Sequence, residues 1–187
     1  MDSCQIPTNN CGCNAGCCEG MEQNQKEDNK TIVIDFLYLD LDVCTRCQGT
    51  DDSLEDAISD VAKVLKLTGL EVTLNKVHID SMEKAIQNKF ISSPTIRVNG
   101  KDIQLEVKET HCESCGDLCG DEVDCRVWLY EGKEYTVPPK AMIIDAILRE
   151  VYSNEKTSED TSVNNEETFE LPENLKKFFE AIQKKRV

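Results

Sequence analysis

Cysteine is the feature that most constrains this chain, because eleven of its 187 residues are cysteines. An odd number of thiols cannot pair completely into disulfides within one chain. The first residues, MDSCQIPTNN, are polar and contain no apolar core of a secretory signal, so we expect a cytoplasmic protein. In a reducing compartment, dense cysteine indicates metal binding or redox chemistry more often than disulfide staples. We therefore expect the thiols to be chemically active.

The charge and hydropathy of the chain exclude two classes of partner. The net charge is −15, from 36 acidic and 21 basic residues, whereas a surface that binds nucleic acid or an anionic membrane needs a basic patch. No apolar run approaches the roughly 18 residues of a membrane span. We expect neither nucleic-acid binding nor a membrane span.

Composition divides the chain into four parts. Residues 1–30 form a Cys-rich arm with almost no core residues, which we expect to be disordered unless a ligand gathers its thiols. Residues 31–152 carry the apolar patterns of a globular domain, with a Cys-rich insertion at 101–125. Residues 153–170 have the composition of an acidic linker, and residues 171–187 that of an amphipathic helix. Such a helix must dock on this domain or on a partner.

The periodicity of the globular part predicts alternating strands and helices. The order is a βαβ unit followed by an antiparallel strand pair and a helix, and a right-handed crossover makes the first two strands parallel. The predicted fold class is therefore α/β, with a central mixed sheet flanked by helices. The predicted strands are 31–41, 70–79, 94–100 and a hairpin at 126–135 that turns at Glu131-Gly132, and the helices are 51–68, 82–90, 138–152 and 171–185.

A C-x-x-C motif, CTRC, follows the first strand and precedes the first long helix. A helix N-terminus stabilises a thiolate, and Arg46 adds a positive charge between the two cysteines. We expect an exposed Cys44 to attack a disulfide and Cys47 to resolve the mixed disulfide. The alternatives are half of a metal site or two structural thiols.

A second motif, Ser93-Pro94-Thr95, opens the third strand, where a bond before proline can be cis. Together with CTRC and the order of elements, it resembles the thioredoxin fold. The resemblance implies that Cys44 is the nucleophile, Cys47 the resolving cysteine and Pro94 the cis-proline. The tryptophan and the Gly-Pro of thioredoxins are absent here, and Val43, Thr45 and Arg46 stand in their place.

Three longer segments resemble a family of small prokaryotic thioredoxin-like proteins that carries no established activity. They are YLDLDVCTRCQGTDDSLEDAI, SSPTIRVNGKDI and CGDLCGDEVDCRVWLYEG followed by two prolines. The resemblance covers roughly residues 31–152. It implies a thioredoxin-like fold, whereas function has to be argued from the site.

The insertion carries a second group of thiols, Cys112, Cys115, Cys119 and Cys125. Four thiols this close in sequence can surround Zn²⁺, if glycines at 116 and 120 permit tight turns. The alternatives are two disulfides or an iron–sulfur site. Cys125 could instead lie near Cys44 and Cys47, because its strand borders the cis-proline strand.

The arm carries the third group, in which C-x-C and adjacent Cys-Cys spacings are poor disulfide staples. Clustered thiolates of this kind suit Cu(I), Zn²⁺, Hg²⁺ or As(III). The alternative is a flexible tail with incidental cysteines. The arm cysteines are Cys4, Cys11, Cys13, Cys17 and Cys18.

These groups support three functional hypotheses. The first is a thiol–disulfide redox protein that uses Cys44 and Cys47 on protein or small-molecule thiols and disulfides. The second is a soft-metal or metalloid binding or transfer protein on the same fold. The third is a non-catalytic interaction module that recruits a partner through the C-terminal helix.

Overall fold

The computed structural model describes residues 30–120, 122–153 and 169–185. The cysteines of the arm and nearly all of the acidic linker lie outside these residues. Five helices and seven strands occur within the described ranges. They are β1 (Lys30–Tyr38), α1 (Thr45–Leu67), β2 (Leu70–His78), α2 (Met82–Gln87), β3 (Thr95–Val98), β4 (Lys101–Asp102), β5 (Lys108–His111), α3 (Glu113–Cys119), β6 (Asp124–Tyr130), β7 (Lys133–Tyr135), α4 (Lys140–Ser153) and α5 (Glu173–Lys185).

The fold is a mixed α/β fold with two sheets. The first sheet has the order β2-β1-β3-β4, in which β1 is parallel to β2 and antiparallel to β3. The strand β1 is central and rich in β-branched and aromatic residues, and Ile34 and Phe36 are fully buried in it. The second sheet is antiparallel, with the order β5-β6-β7 and the expected hairpin turn at Glu131-Gly132.

The sequence predicted one central sheet, and the separation into two has a local cause. The side chain of Gln104 stands between the two sheets, donating to the Val127 carbonyl at 3.0 Å and accepting from the Leu129 amide at 2.6 Å. A side chain thus satisfies backbone groups of β6 that a ladder would otherwise satisfy. Strand β6 also contacts the loop before β3, because the Arg126 amide donates to the Ser93 carbonyl at 2.7 Å.

Helix α1 begins at Thr45, six residues before the predicted start, and Cys44 is its N-cap. The residues Gln48-Gly49-Thr50, which precede the predicted helix start, lie in its first turns. Gln48 donates from its side chain to the carbonyls of Leu41 and Asp42, which ties the helix start to the preceding loop. Gly49 permits close packing, because a Cβ there would lie 2.6 Å from Cγ2 of Val137.

The core consists of two apolar clusters. One lies between the first sheet and helices α1 and α4, and it contains Leu54, Ala57, Val61 and Leu65 of α1. The other contains six buried cysteines together with apolar residues of α5. The buried faces of α1 and α5 both follow the i, i+3, i+4 spacing that the sequence indicated.

Helix α5 docks on the domain rather than standing apart. Leu175, Phe178 and Phe179 are buried in the cysteine-containing cluster. Asn174 fixes the start of the helix, since its amide accepts from the Asp124 N–H at 3.0 Å and donates to the Asp124 carbonyl at 2.8 Å. Lys185 fixes the end by donating to two carbonyls at the C-terminus of α3. None of the helices in the described ranges has the length and apolar content needed to cross a bilayer.

Candidate metal centre and its neighbouring thiol

Four cysteine sulfurs converge at one buried point. The Sγ atoms of Cys44, Cys112, Cys115 and Cys125 all lie within 4.8 Å of one another, and all four residues are buried free cysteines. Three separate segments supply them: the N-cap of α1, the first turn of α3 and the second residue of β6. The arrangement is therefore a product of tertiary packing.

Helix α3 supplies two of the sulfurs through its own geometry. Cys112 is the N-cap and Cys115 lies three residues later, a spacing that places both side chains on one face. The Cys112 amide donates to the Val123 carbonyl at 2.9 Å, which closes the loop that returns to β6. This closure brings the Cys115 and Cys125 sulfurs within 3.3 Å of each other.

Arg46 connects α1 to the two strands that flank α3. Its guanidinium donates to the carbonyls of Thr110 and Cys125 at 3.2 and 3.0 Å, and it also donates to the carbonyl of His111. We expected Arg46 to stabilise a thiolate by its charge, but its donors point at these carbonyls. Its contacts hold the N-cap of α1 against the segment that carries the other three sulfurs.

Cys47 is a fifth buried thiol beside the four. Its backbone N–H donates to the Cys44 sulfur at 3.4 Å, and its own sulfur lies 3.4 Å from Oγ of Ser93. The Ser93–Pro94 bond is cis, as the resemblance implied. Cys44 differs from expectation, because it is 0% exposed rather than open to solvent. Residues of α3 and β6 cover the sulfur that the sequence alone would leave at the surface.

The five thiols differ in the direction of their pKa shifts. Hydrogen bonds, the largest from Cys112, hold the pKa of Cys44 far below its usual range. A hydrogen bond with Cys115 lowers the pKa of Cys112 to about 7. Hydrogen bonds to Cys112 raise the pKa values of Cys115 and Cys125, and a hydrogen bond with Cys44, together with burial, raises that of Cys47. The cluster thus holds a stabilised thiolate at Cys44, whereas Cys115, Cys125 and Cys47 hold their protons more firmly than an ordinary thiol does.

The family described as Domain of unknown function (DUF2703) matches residues 32–147, more than half of the chain. The chain belongs to the DUF2703 family. No curated protein and no solved structure gives a significant match to the chain. The matched range contains all four converging sulfurs and Cys47, so the site lies within the DUF2703 domain, whereas α5 follows the matched range.

The sequence grouped Cys119, rather than Cys44, with Cys112, Cys115 and Cys125 in the DUF2703 domain. Cys119 is buried, and its sulfur lies 3.8 Å from the Gly116 carbonyl, but it is not one of the four converging sulfurs. The expected tight turn at Gly116 does not form, because this residue lies inside α3. At about 1.5 Å of rise per residue, a helix carries Cys119 roughly 10 Å along its axis from Cys112. Cys44, rather than Cys119, supplies the fourth converging sulfur.

Part of this outcome had a signal in the sequence. The alternative position for Cys125, close to the C-x-x-C turn, is the one that brings its sulfur to Cys44. The contact arises because β6 bonds to the Ser93 loop, as the order of strands suggested. The arm cysteines Cys4, Cys11, Cys13, Cys17 and Cys18 lie outside the described residues, and their expected metal-binding role stays a prediction.

Proposed function

We propose that the DUF2703 domain binds one soft metal ion, of which Zn²⁺ is the simplest case, through Cys44, Cys112, Cys115 and Cys125. The observation that carries this proposal is the convergence of four buried sulfurs within 4.8 Å. Tetrahedral zinc with Zn–S bonds of about 2.3 Å requires sulfurs about 3.8 Å apart, so the four can close on an ion with small movements.

The arrangement favours a metal over disulfides for a geometric reason. A disulfide joins two sulfurs at about 2.05 Å and requires no third sulfur nearby. Here each sulfur has three others within 4.8 Å, an all-against-all contact that a tetrahedral ion uses fully. Burial also favours the metal, because a dication offsets the charge of thiolates that would otherwise be desolvated alone.

The test must separate this site from the arm. We would purify the full chain under reducing conditions with the five arm cysteines replaced by serine, and measure bound metal by native and elemental mass spectrometry. We expect one equivalent of metal. Cys44→Ser and Cys125→Ser should each reduce metal affinity by at least about tenfold, whereas the matched control Cys119→Ser should retain metal. Absence of metal from the arm-substituted chain, even after zinc is added, would refute the proposal.

A second candidate function is thiol–disulfide exchange by Cys44 and Cys47 on a thioredoxin-like fold. The strand order β2-β1-β3-β4 supports this fold, with the C-x-x-C turn after β1 and Pro94 directly before β3. The position of Cys44 at the N-cap of a 23-residue helix supports the activity. Reduction of insulin disulfides by metal-free protein, lost in Cys44→Ser, would support this function. Equal rates for the two proteins would contradict it.

Metal transfer is a natural extension of the first proposal. The arm cysteines would capture a soft ion and pass it by ligand exchange to the four converging sulfurs. A chain in which only the arm cysteines are replaced should bind its single ion with unchanged affinity but load it more slowly from a metal-chelate donor. Equal loading rates for the two chains would contradict this role for the arm.

A further inference from the structure

The geometry points to a redox switch on the proposed metal site: Cys44 is shared between the metal and a disulfide with Cys47, so that a peroxide ejects the metal. This inference rests on the proposed metal-binding function and names its regulation. Metal binding and disulfide formation, the two functions considered for the DUF2703 domain, then compete for the same Cys44 sulfur.

Cys44 belongs both to the four converging sulfurs and to the C-x-x-C pair. Cys44 is one of the four converging sulfurs, and Cys47 is not. Yet the two residues are three apart on the first turn of α1, and the Cys47 amide already bonds to the Cys44 sulfur at 3.4 Å. A sulfur in a disulfide has lost the thiolate charge that binds a cation. Pairing with Cys47 therefore leaves three thiolates around the ion.

Burial selects the class of oxidant. Cys44 and Cys47 are both 0% exposed, which disfavours a protein disulfide relative to a small oxidant. A surface depression of ≈ 270 Å³ lies over the site, and Thr45, Arg46 and Cys112 contribute to its lining. Cys112 is itself 2% exposed at this point. Hydrogen peroxide is small and uncharged, and it is the class of two-electron oxidant that suits a buried thiol.

The chemistry balances with one peroxide for each disulfide. The Cys44 thiolate attacks one peroxide oxygen and the O–O bond breaks, which gives a sulfenic acid on Cys44 and hydroxide. Cys47 loses its proton, and its thiolate attacks the Cys44 sulfur. The S–S bond forms, the S–O bond breaks and a second hydroxide leaves. The Cys47 proton and one proton from solvent convert both hydroxides to water. The two sulfurs lose two electrons in total, and the peroxide gains them.

Competition for one sulfur makes the effect reciprocal. A metal on Cys44 occupies the electron pair that would attack peroxide, so bound metal slows oxidation. Oxidation removes a ligand, so it lowers metal affinity. At equilibrium, linkage requires that bound metal stabilises the reduced thiols by the same free energy by which oxidation weakens metal binding.

The test uses the full chain with the five arm cysteines replaced by serine, loaded with one equivalent of Zn²⁺. Hydrogen peroxide is added, Zn²⁺ release is followed with a chromogenic chelator, and the disulfides are mapped by mass spectrometry after alkylation. We expect release of the ion together with a Cys44–Cys47 disulfide, and rebinding after reduction with a dithiol. Cys47→Ser, which leaves the four proposed ligands in place, should still bind Zn²⁺. After peroxide is added, it should release Zn²⁺ more slowly than the parent chain.

The outcomes separate this inference from the proposal beneath it. If Zn²⁺ binds and Cys47→Ser releases it as fast as the parent chain, or the disulfide maps among Cys112, Cys115 and Cys125, the switch is refuted and the metal site stands. If the arm-substituted chain holds no Zn²⁺ before peroxide is added, the metal site is refuted and the switch with it.

Discussion

Nη1 of Arg46 lies 3.0 Å from the carbonyl oxygen of Cys125, so a residue between the two C-x-x-C cysteines holds the strand whose thiol lies 79 positions further along the chain. The same guanidinium reaches the carbonyls of Thr110 and His111. One side chain therefore fixes β5 and β6 relative to Cys44. A planar guanidinium can reach several carbonyls at once, whereas an ammonium group is a single point of charge.

We predict that Arg46→Lys weakens the site without removing a ligand. The loss of two or three hydrogen bonds should reduce the unfolding free energy by about 1–3 kcal/mol and metal affinity by about tenfold. Denaturant unfolding and competitive zinc titration measure the two effects. The control is Arg149→Lys, because Arg149 makes an exposed i,i+4 pair with Asp145 away from the site. An equal loss in the control would show that Arg46 has no special part in assembling the site.

Metal affinity should rise steeply with pH. The pKa values of Cys115 and Cys125 are raised, so both thiols keep their protons near neutral pH and a metal must displace them. Cys44 releases little, because its pKa is already lowered. Binding at pH 7 should release at least about two protons and strengthen as the pH rises. Calorimetry in buffers of different ionisation enthalpy counts these protons, and a count near zero would mean that thiols with raised pKa values do not bind the ion.

Glu109 should make the fold less stable at neutral pH than at acidic pH. Burial raises its pKa, and Ser92 and Asn174 donate to its Oε1 at 2.7 and 3.2 Å. The folded state therefore holds the proton more tightly than the unfolded state, and stability falls as the pH rises through the interval between the two pKa values. Glu109→Gln keeps the acceptor and removes the charge.

The expected result for Glu109→Gln is a higher unfolding free energy at pH 7, with the advantage vanishing below the ordinary glutamate pKa. Urea unfolding at a series of pH values measures it. Glu180→Gln, an exposed change on α5, is the matched control and should show no such trend. A lower stability for Glu109→Gln at pH 7 would indicate that the charged form is the favoured one.

Helix α5 should protect the sulfurs from reagents in solution. Phe178 is 4% exposed and lies in the apolar cluster that contains the cysteines, so Phe178→Ala should cost about 3–5 kcal/mol. The rate at which a thiol reagent labels metal-free, arm-substituted protein should increase accordingly. Lys184→Ala changes an exposed residue of the same helix and should leave the rate unchanged. Labelling of Phe178→Ala at the parent rate would mean that α5 does not control access.

The sequence predicted what depends on local pattern. The buried strand β1, the turn at Glu131-Gly132 and the apolar face of α5 all follow from periodicity or turn chemistry, and all are present. Three of the four converging sulfurs were also named together as ligands. These features are encoded within a few residues of one another, so a single sequence reveals them.

The remainder depends on contacts that no local pattern records. Gly116 was expected to make a turn, but α3 continues through it and carries Cys119 away from Cys112. Bonds from Arg46 to carbonyls more than sixty positions away help to hold Cys44 beside the other three sulfurs. Carbonyl acceptors are present at every residue, so no residue type marks the ones that Arg46 uses. A bond of this kind becomes visible only in three dimensions.

The order of the four converging cysteines along the chain also determines when their cluster can form during synthesis. During synthesis Cys44 emerges first, and the four-sulfur site cannot exist until residue 125 has been made. Helix α5, which packs against the same cluster, is made later still. The nascent domain therefore passes through an interval in which all four cysteines have been made but α5 has not. On the proposed metal-binding function, an ion and an oxidant would both reach the thiols most readily in that interval.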